Sequence, residues 1–178
     1  MKGLHPNIID NESLLLKHIH KLLIGIFLIT TFGFGQVTFT EHAISTSANS
    51  ARSVYAADLD GDGDQDVLSA SSFDYKITWY ENDGSGNFTP YTITTDAVNP
   101  VSVHAADLDG DGDQDVLSAS YNDDKIAWYE NDGSGNFTPF TITTDTDGAQ
   151  FVYATDLDGD GDQDVLSASA FDNKIAWY

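Results

Sequence analysis

The chain has 178 residues, a length that suits one ordinary domain, and its 40% content of hydrophobic residues is typical of a globular protein. Its 29 Asp and Glu residues against 7 Lys and Arg give a formal net charge of -22, which opposes binding to polyanions such as nucleic acid and anionic membranes. Because the chain contains no Cys, disulfides, thiolate metal sites and Cys nucleophiles are excluded. Cations are therefore the expected partners of so acidic a chain.

Residues 1–35 are predicted to be a signal peptide. The basic residues Lys17 and Lys21 precede an apolar run at 22–34, and glycines near its end offer a cleavage site before Gln36. The run is about 13 residues long, short of the ~20 that a membrane-spanning helix needs. An uncleaved anchor or a buried helix is the alternative. We expect a secreted chain, extracellular or at the cell surface, without a stable membrane span after cleavage.

Residues 36–178 are built from a repeat with a constant period of 49 residues. The nonapeptide DLDGDGDQD begins at Asp58, Asp107 and Asp156, and a Trp follows it at the same distance in each copy. The period predicts three repeat units, the last of them truncated, at about 38–86, 87–135 and 136–178.

Each unit contains four candidate strands, which the second unit illustrates. The alternating segment FTPYTI (88–93) is followed by two strands that flank the acidic nonapeptide, SVHAAD (102–107) and DVLSAS (115–120). The fourth, KIAWYE (125–130), is rich in β-branched and aromatic residues, and the NDGSGN stretch after it supplies the residues of a tight turn. Four short antiparallel strands per unit are typical of a β-propeller blade. The predicted fold is therefore all-β, with three propeller blades.

Three blades are too few to close a ring, since propellers usually have at least about four. The prediction is therefore an incomplete or open propeller. Its open ends would expose unpaired strand edges, so we expect either a truncated product or self-association through these edges. A β-helix has shorter coils, and no 3.6-residue apolar period supports a helical solenoid.

The acidic nonapeptide is a candidate calcium site. Ca²⁺ takes about six to eight oxygen ligands, so it needs several carboxylates and a carbonyl brought together by a sharply turning loop. In the first copy Asp58, Asp60 and Asp62 can converge on one ion. Asp66 closes the shell, and Asp64 contributes its backbone carbonyl. One Ca²⁺ is expected in each of the three copies, on Asp58, Asp60, Asp62, Asp64, Asp66, Asp107, Asp109, Asp111, Asp113, Asp115, Asp156, Asp158, Asp160, Asp162 and Asp164.

The acidic loops have three competing interpretations. An EF-hand loop begins in the same way, but it requires a bidentate Glu at its twelfth position and flanking helices. Here the twelfth position is Ser69, Ser118 or Ser167 and the flanks are strand-like, so the EF-hand is excluded. A merely solvated acidic turn would explain one copy, whereas three identical copies at a fixed period favour a metal site. Mg²⁺ could compete, but its strict octahedral geometry favours Ca²⁺ in a loop so rich in carboxylates.

The stretches AADLDGDGDQDVLSAS and WYENDGSGNFT resemble the FG-GAP or VCBS-type repeat of integrin α-subunit propellers and many secreted bacterial proteins. The resemblance covers residues 38–178. It implies a β-propeller in which the D-x-D-x-D-G-x-x-D loop lies between the first two strands of a blade and binds Ca²⁺, which assigns that role to the aspartates of all three loops. Such propellers usually have about seven blades, whereas this chain has three at most.

No residue of the repeats is predicted to be catalytic. A catalytic residue should occur in one unit only and differ in type from its counterparts in the others. His42 and His104 instead stand where the other units have Tyr or Phe. Both are therefore expected to pack as aromatic side chains do. The recurring Lys76, Lys125 and Lys174 are expected at strand edges or beside nearby Asp. No G-x-S-x-G motif is present.

The units differ most in two loops. Residues 72–75 and 97–101, with their counterparts, are expected to lie on the face opposite the acidic loops, and binding sites on β-scaffolds usually lie in such loops. We therefore predict a non-catalytic module for adhesion or binding, which recognises a protein or a glycan through these loops and does not bind nucleic acid. The alternatives are an accessory propeller of a larger extracellular polysaccharide-degrading enzyme and a structural surface spacer.

Overall fold

Eleven β-strands make up the regular structure of residues 37–178, which are the residues that the computed structural model describes. The signal peptide predicted over 1–35 lies outside the described residues. All eleven strands belong to one compact unit, His42–Tyr178. The strands are β1 (Ala51–Ala57), β2 (Asp66–Ser71), β3 (Lys76–Asn82), β4 (Phe88–Thr94), β5 (Pro100–Ala106), β6 (Asp115–Ser120), β7 (Lys125–Asn131), β8 (Phe137–Thr143), β9 (Ala149–Thr155), β10 (Asp164–Ser169) and β11 (Ile175–Trp177).

The strands form three antiparallel sheets. Sheet 1 contains β1–β4, and sheet 2 contains β5–β8, each in chain order. Sheet 3 contains β9–β11, and among the described residues it has three strands. None of these three sheets closes into a barrel. The all-β prediction, with blade-like sheets in an open propeller, is therefore confirmed.

The sheets are offset from the units of the sequence repeat. β4 pairs with β3 across the NDGSGN turn, so it belongs to the sheet that the preceding unit forms. In this turn the carboxylate of Asp83 accepts hydrogen bonds from the N–H groups of Ser85 and Asn87, at 2.9 and 3.1 Å. The counterpart of β4 in the first unit, residues 39–44, forms no strand. Each complete sheet thus takes three strands from one unit and the fourth from the next.

The hydrophobic core lies between neighbouring sheets. β1 packs against β5, and β5 packs against β9, so the first strand of each sheet lies beside the first strand of the next. Full burial of a Val, Leu or Ile side chain stabilises a fold by about 1.5–3 kcal/mol. The core between sheets 1 and 2 includes Leu68, Ile77, Trp79, Val103, Ala105 and Val116, and the core between sheets 2 and 3 includes Leu117, Ile126, Trp128, Val152, Ala154 and Val165.

A row of three rings crosses the first strands of the sheets. The His104 ring lies between those of Tyr55 and Tyr153, with ring centroids 4.5 Å apart on both sides. His104 is buried, and this burial lowers the pKa of its imidazole. The prediction that His104 packs as an aromatic residue is confirmed. The same prediction for His42 is wrong within a single chain, because the side chain of His42 is exposed there.

The buried imidazole of His104 should make the protein sensitive to acid. Its pKa is lower in the folded than in the unfolded chain, so the free energy of unfolding should fall as the pH falls below about 6.5. His104→Tyr copies Tyr55 and Tyr153 and removes this contribution. Denaturant unfolding at about pH 7.5 and about pH 5.5 measures the free energy of unfolding at each pH. We expect this free energy to fall less between the two pH values in the variant than in the unsubstituted protein. An equal loss in both proteins would contradict the assignment.

Candidate metal sites

Each acidic nonapeptide forms the connection between the first two strands of a sheet. In the first copy the loop follows β1, and the ninth residue, Asp66, is the first residue of β2. The other two copies precede β6 and β10 in the same way. The twelfth positions are buried serines inside these strands, Ser69, Ser118 and Ser167. The EF-hand alternative therefore fails in the structure as it does in the sequence.

The first aspartate of each loop shapes the backbone around itself. The two carboxylate oxygens of Asp58 accept hydrogen bonds from the N–H groups of Gly61 and Gly63, at 2.8 and 3.0 Å. Both glycines have positive φ angles, of 74° and 96°, which L side chains rarely adopt. Asp107 and Asp156 form the same pair of bonds in their loops. The alternation of Asp and Gly therefore folds the loop back onto its first carboxylate.

The next two aspartates each hold a single turn. The N–H of Asp62 donates to Oδ1 of Asp60 at 3.2 Å, and the N–H of Asp64 donates to Oδ1 of Asp62 at 2.9 Å. Such bonds, from a side chain to the backbone two residues on, are typical of tight turns. Each carboxylate uses one oxygen in this way and keeps further lone pairs for another ligand. The loop is thus shaped by its carboxylates without exhausting them as acceptors.

The last aspartate ties the loop to the third strand of its sheet. Asp115 is buried, and its two oxygens accept hydrogen bonds from the N–H groups of Leu108 at 3.0 Å and Asn131 at 2.8 Å. Leu108 lies in the loop and Asn131 ends β7. Asp66 forms the corresponding two bonds in sheet 1, and Asp164 accepts the loop bond in sheet 3. A buried carboxylate with two backbone donors has a structural role whether or not it binds metal.

Three carboxylates converge in each loop. In every cluster of the described residues, one oxygen from each member lies within 4.8 Å of the others. The aspartates at the first and third positions of the nonapeptide belong to the cluster in all three loops. The clusters are Asp58, Asp60 and Asp62 in the first loop, Asp107, Asp109 and Asp115 in the second, and Asp156, Asp158 and Asp164 in the third. Hard oxygen donors at this separation could hold a metal ion, one for each repeat.

The other predicted ligands lie outside these three-residue clusters: Asp64, Asp66, Asp111, Asp113, Asp160 and Asp162. The side chain of Asp64 lies against Gly84 in the turn between β3 and β4, and that of Asp113 lies against Gly133 in the matching turn. At this seventh position the backbone carbonyl stays the predicted ligand. Both glycines have positive φ, and an added Cβ would collide with the carboxylate, so the turns require Gly.

Two carboxylates of the acidic loops, those of Asp60 and Asp115, have a raised pKa. Burial raises the pKa of Asp115, and the N–H groups of Asn131 and Leu108 offset part of this effect. Burial also raises the pKa of Asp60; the N–H of Asp62 lowers it, and nearby carboxylates raise it further. A divalent cation in the cluster would favour the charged forms and reverse these shifts. A cation there would therefore stabilise the charged forms of these two carboxylates.

Sequence reasoning missed Asn131, which connects two neighbouring acidic loops. Asn131 is buried, and its Nδ2 donates to the backbone carbonyls of Leu59 at 2.7 Å and Gln114 at 3.0 Å. Leu59 belongs to the loop of sheet 1 and Gln114 to the loop of sheet 2. The sequence did contain a signal, because this Asn recurs in the ENDGSGN segment, but there it was read only as a turn residue.

Antiparallel sheets that pack face to face, each with an acidic loop between its first two strands, define a propeller-type repeat protein. The sequence profile described as FG-GAP-like repeat matches residues 31–69, 58–118 and 107–167. These matches cover well over half of the chain, so the chain belongs to the FG-GAP-like repeat family. The resemblance seen in the sequence is thus confirmed. A search of curated proteins finds no significant match.

Membership of the family carries two general properties. FG-GAP-like repeats are generally non-catalytic modules, and they are typically extracellular. In residues 37–178 no helix has the length and apolar character needed to cross a bilayer.

Replacing Asp115 and Asp111 by Asn should separate the structural aspartate from an exposed one. With a chelator present, Asp115→Asn should lower the free energy of unfolding by about 1–3 kcal/mol, because an amide N–H₂ would then face a backbone N–H. Asp111→Asn keeps the oxygen that accepts from Asp113, so its effect should stay within about 0.5 kcal/mol. Denaturant unfolding measures both values. Equal losses would contradict a special role for Asp115.

Proposed function

We propose that the protein is a secreted, non-catalytic module that binds one Ca²⁺ in each acidic loop. The convergence of three carboxylates in every loop carries this proposal. The donor set supports Ca²⁺, because the clusters contain hard carboxylate oxygens and no imidazole or thiolate. The aspartates at the first and third positions would bind directly. Those at the fifth and ninth positions would complete the shell together with the backbone carbonyl of the seventh.

Calcium would stabilise the contact between neighbouring sheets. The loops of sheets 1 and 2 are joined by the bond from Asn131 to the carbonyl of Leu59. Repulsion among the five carboxylates of a loop works against this arrangement, and a divalent cation would remove that repulsion. Binding only to the folded state stabilises by RT ln(1 + [Ca²⁺]/Kd) at each site, or about 2.7 kcal/mol at one hundred times Kd.

Calorimetric titration should find three Ca²⁺ ions for each chain, with Kd on the order of 10⁻⁴ to 10⁻³ M as in other extracellular modules. The melting temperature should rise with free Ca²⁺ and fall on addition of EGTA. A variant with Asp58→Asn, Asp107→Asn and Asp156→Asn should lose most of the binding, because it weakens the first ligand of each cluster. Equal melting temperatures in EGTA and in millimolar Ca²⁺, with no bound metal, would contradict the proposal.

The face opposite the acidic loops is the proposed contact surface for a protein or a glycan. The connections between the second and third strands of each sheet lie on this face, and so do the connections from one sheet to the next. Backbone hydrogen bonds join these connections, such as Tyr121 N–H to the carbonyl of Asn99 at 3.0 Å. The loops expose the aromatic rings of Phe73, Tyr75 and Phe171. Exposed aromatic rings on a braced backbone suit the recognition of sugars or apolar side chains.

The charged groups of this face are also fixed in place. Lys125 lies 3.1 Å from Asp123, and Lys174 lies 3.3 Å from Asp172, so two of the three recurring lysines lie beside an Asp. The N–H of Gly148 donates to the carboxylate of Asp124 at 2.8 Å. Loops that are held by such contacts lose little conformational entropy when they bind a ligand.

Exchanging loops between units should change ligand binding without changing Ca²⁺ binding. The exchange replaces 72–75 by the sequence of 170–173, and 97–101 by that of 146–150, and vice versa. We expect an altered profile on a glycan array or a panel of extracellular proteins, with Ca²⁺ affinity unchanged in calorimetry, because the loops lie away from the acidic clusters. Asp111→Asn is the matched control, because it changes an acidic loop instead. It should leave the profile on the glycan array or protein panel unchanged. Altered Ca²⁺ affinity with an unchanged profile would contradict this assignment.

A further inference from the structure

Sheet 3 exposes a face that is buried in the other two sheets. The isoleucines of β3 and β7, Ile77 and Ile126, are 0% exposed, because the next sheet covers them. Their counterpart on β11, Ile175, is 85% exposed. The leucine of the acidic loop behaves in the same way, since Leu59 is buried while Leu157 is half-exposed. Among the described residues nothing covers this face of sheet 3.

Sheet 1 exposes the opposite face. Val103 on β5 and Val152 on β9 are 4% and 1% exposed, because each packs against the preceding sheet. Their counterpart on β1, Val54, is 70% exposed. The uncovered faces of sheets 1 and 3 are therefore the two halves of an interface that this chain already forms twice, between sheets 1 and 2 and between sheets 2 and 3.

We propose that a second copy of this chain covers both faces, with sheet 3 of each copy packed on sheet 1 of the other. Such a head-to-tail contact forms a ring when the rotation closes, and two copies would make the contact twice. The ring would have six sheets, within the range of about four to eight blades in which propellers close. Three copies would give nine sheets, beyond that range.

The open edge of sheet 3, which has three strands among the described residues, points to the same partner. In sheet 1 the fourth strand places Tyr91 opposite Trp79, with ring centroids 5.0 Å apart, and sheet 2 repeats this pair. On β11 the corresponding tryptophan, Trp177, is exposed and has no such neighbour among the described residues. The segment 39–44 has the sequence pattern of a fourth strand, and His42 holds the position of Tyr91. In the ring, residues 42–44 of the second copy pair with β11 and place His42 on Trp177.

A hydrogen bond between sheets supports the same geometry. Asn131 of sheet 2 donates to the loop carbonyl of Leu59 in sheet 1. Asn82 holds the same position in sheet 1, where its Nδ2 donates to the carbonyl of Gln65 at 3.0 Å. In the described residues no sheet precedes sheet 1, so Asn82 has no counterpart of the bond from Asn131 to the loop of the preceding sheet. In the ring, Asn82 reaches the carbonyl of Leu157 in the second copy.

Light scattering during size-exclusion chromatography tests the ring. The full chain in Ca²⁺ should have twice the mass of one chain. Val54→Asp disrupts the face of sheet 1, and Ile175→Asp disrupts that of sheet 3, so each variant alone should be monomeric. An equimolar mixture should regain a one-to-one dimer, because the intact sheet 3 of the first variant meets the intact sheet 1 of the second.

Val98→Asp is the matched control, because Asp147 occupies the equivalent position in the third unit, and it should keep the dimer. Circular dichroism and unfolding midpoints establish that each variant is folded. A monomeric unsubstituted chain, a dimer that persists in either single variant, a mixture that stays monomeric, or growth into open filaments would each overturn the proposal.

A pair of proline variants tests the added strand. Pro90 and Pro139 show that a proline is accepted at the third position of β4 and β8. Glu41→Pro copies them and should keep the dimer. His42→Pro removes the N–H of residue 42 itself, which by the alternation of an antiparallel ladder faces the partner strand, and should abolish the dimer. Dimers of equal stability in both variants would overturn strand addition.

Discussion

Asp66 and Asp115 each accept one hydrogen bond from the acidic loop and one from the third strand of the same sheet. Both carboxylates are buried, so the loss of either donor would leave an unsatisfied charged group in the interior, which is strongly unfavourable. This constraint fixes where the loop begins relative to β3 or β7. The convergence of the other carboxylates and the contact between sheets both depend on that placement.

The same constraint gives each sheet two chemically different ends. The end with the acidic loops concentrates negative charge, and in the central sheet it is joined to its neighbour by Asn131. The other end exposes aromatic rings such as Phe73 on connections held by backbone hydrogen bonds. Because successive connections of an up-and-down sheet alternate between its ends, the proposed cation sites and the proposed ligand surface lie on opposite sides.

The repeat also shows how position, rather than residue type, decides burial. Ile126 and Ile175 occupy equivalent positions, yet one is in the core and the other is in solvent. Val54 and Val103 differ in the same way at the other end of the sheet series. Interfaces between repeats supply much of the stability of such proteins, so the terminal repeats are the ones whose faces need a partner or a polar cap.

The sequence by itself determined the acidic loops, the family and the strands other than that expected at 39–44, because alternating apolar residues and runs of Asp and Gly act over a few residues. The tertiary structure decided how strands group into sheets, and it decided that Asp62 joins the first cluster whereas Asp115 joins the second. It also revealed the bond from Asn131 to Leu59, which joins residues 72 positions apart. Such features arise from contacts between distant segments, and no local pattern encodes them.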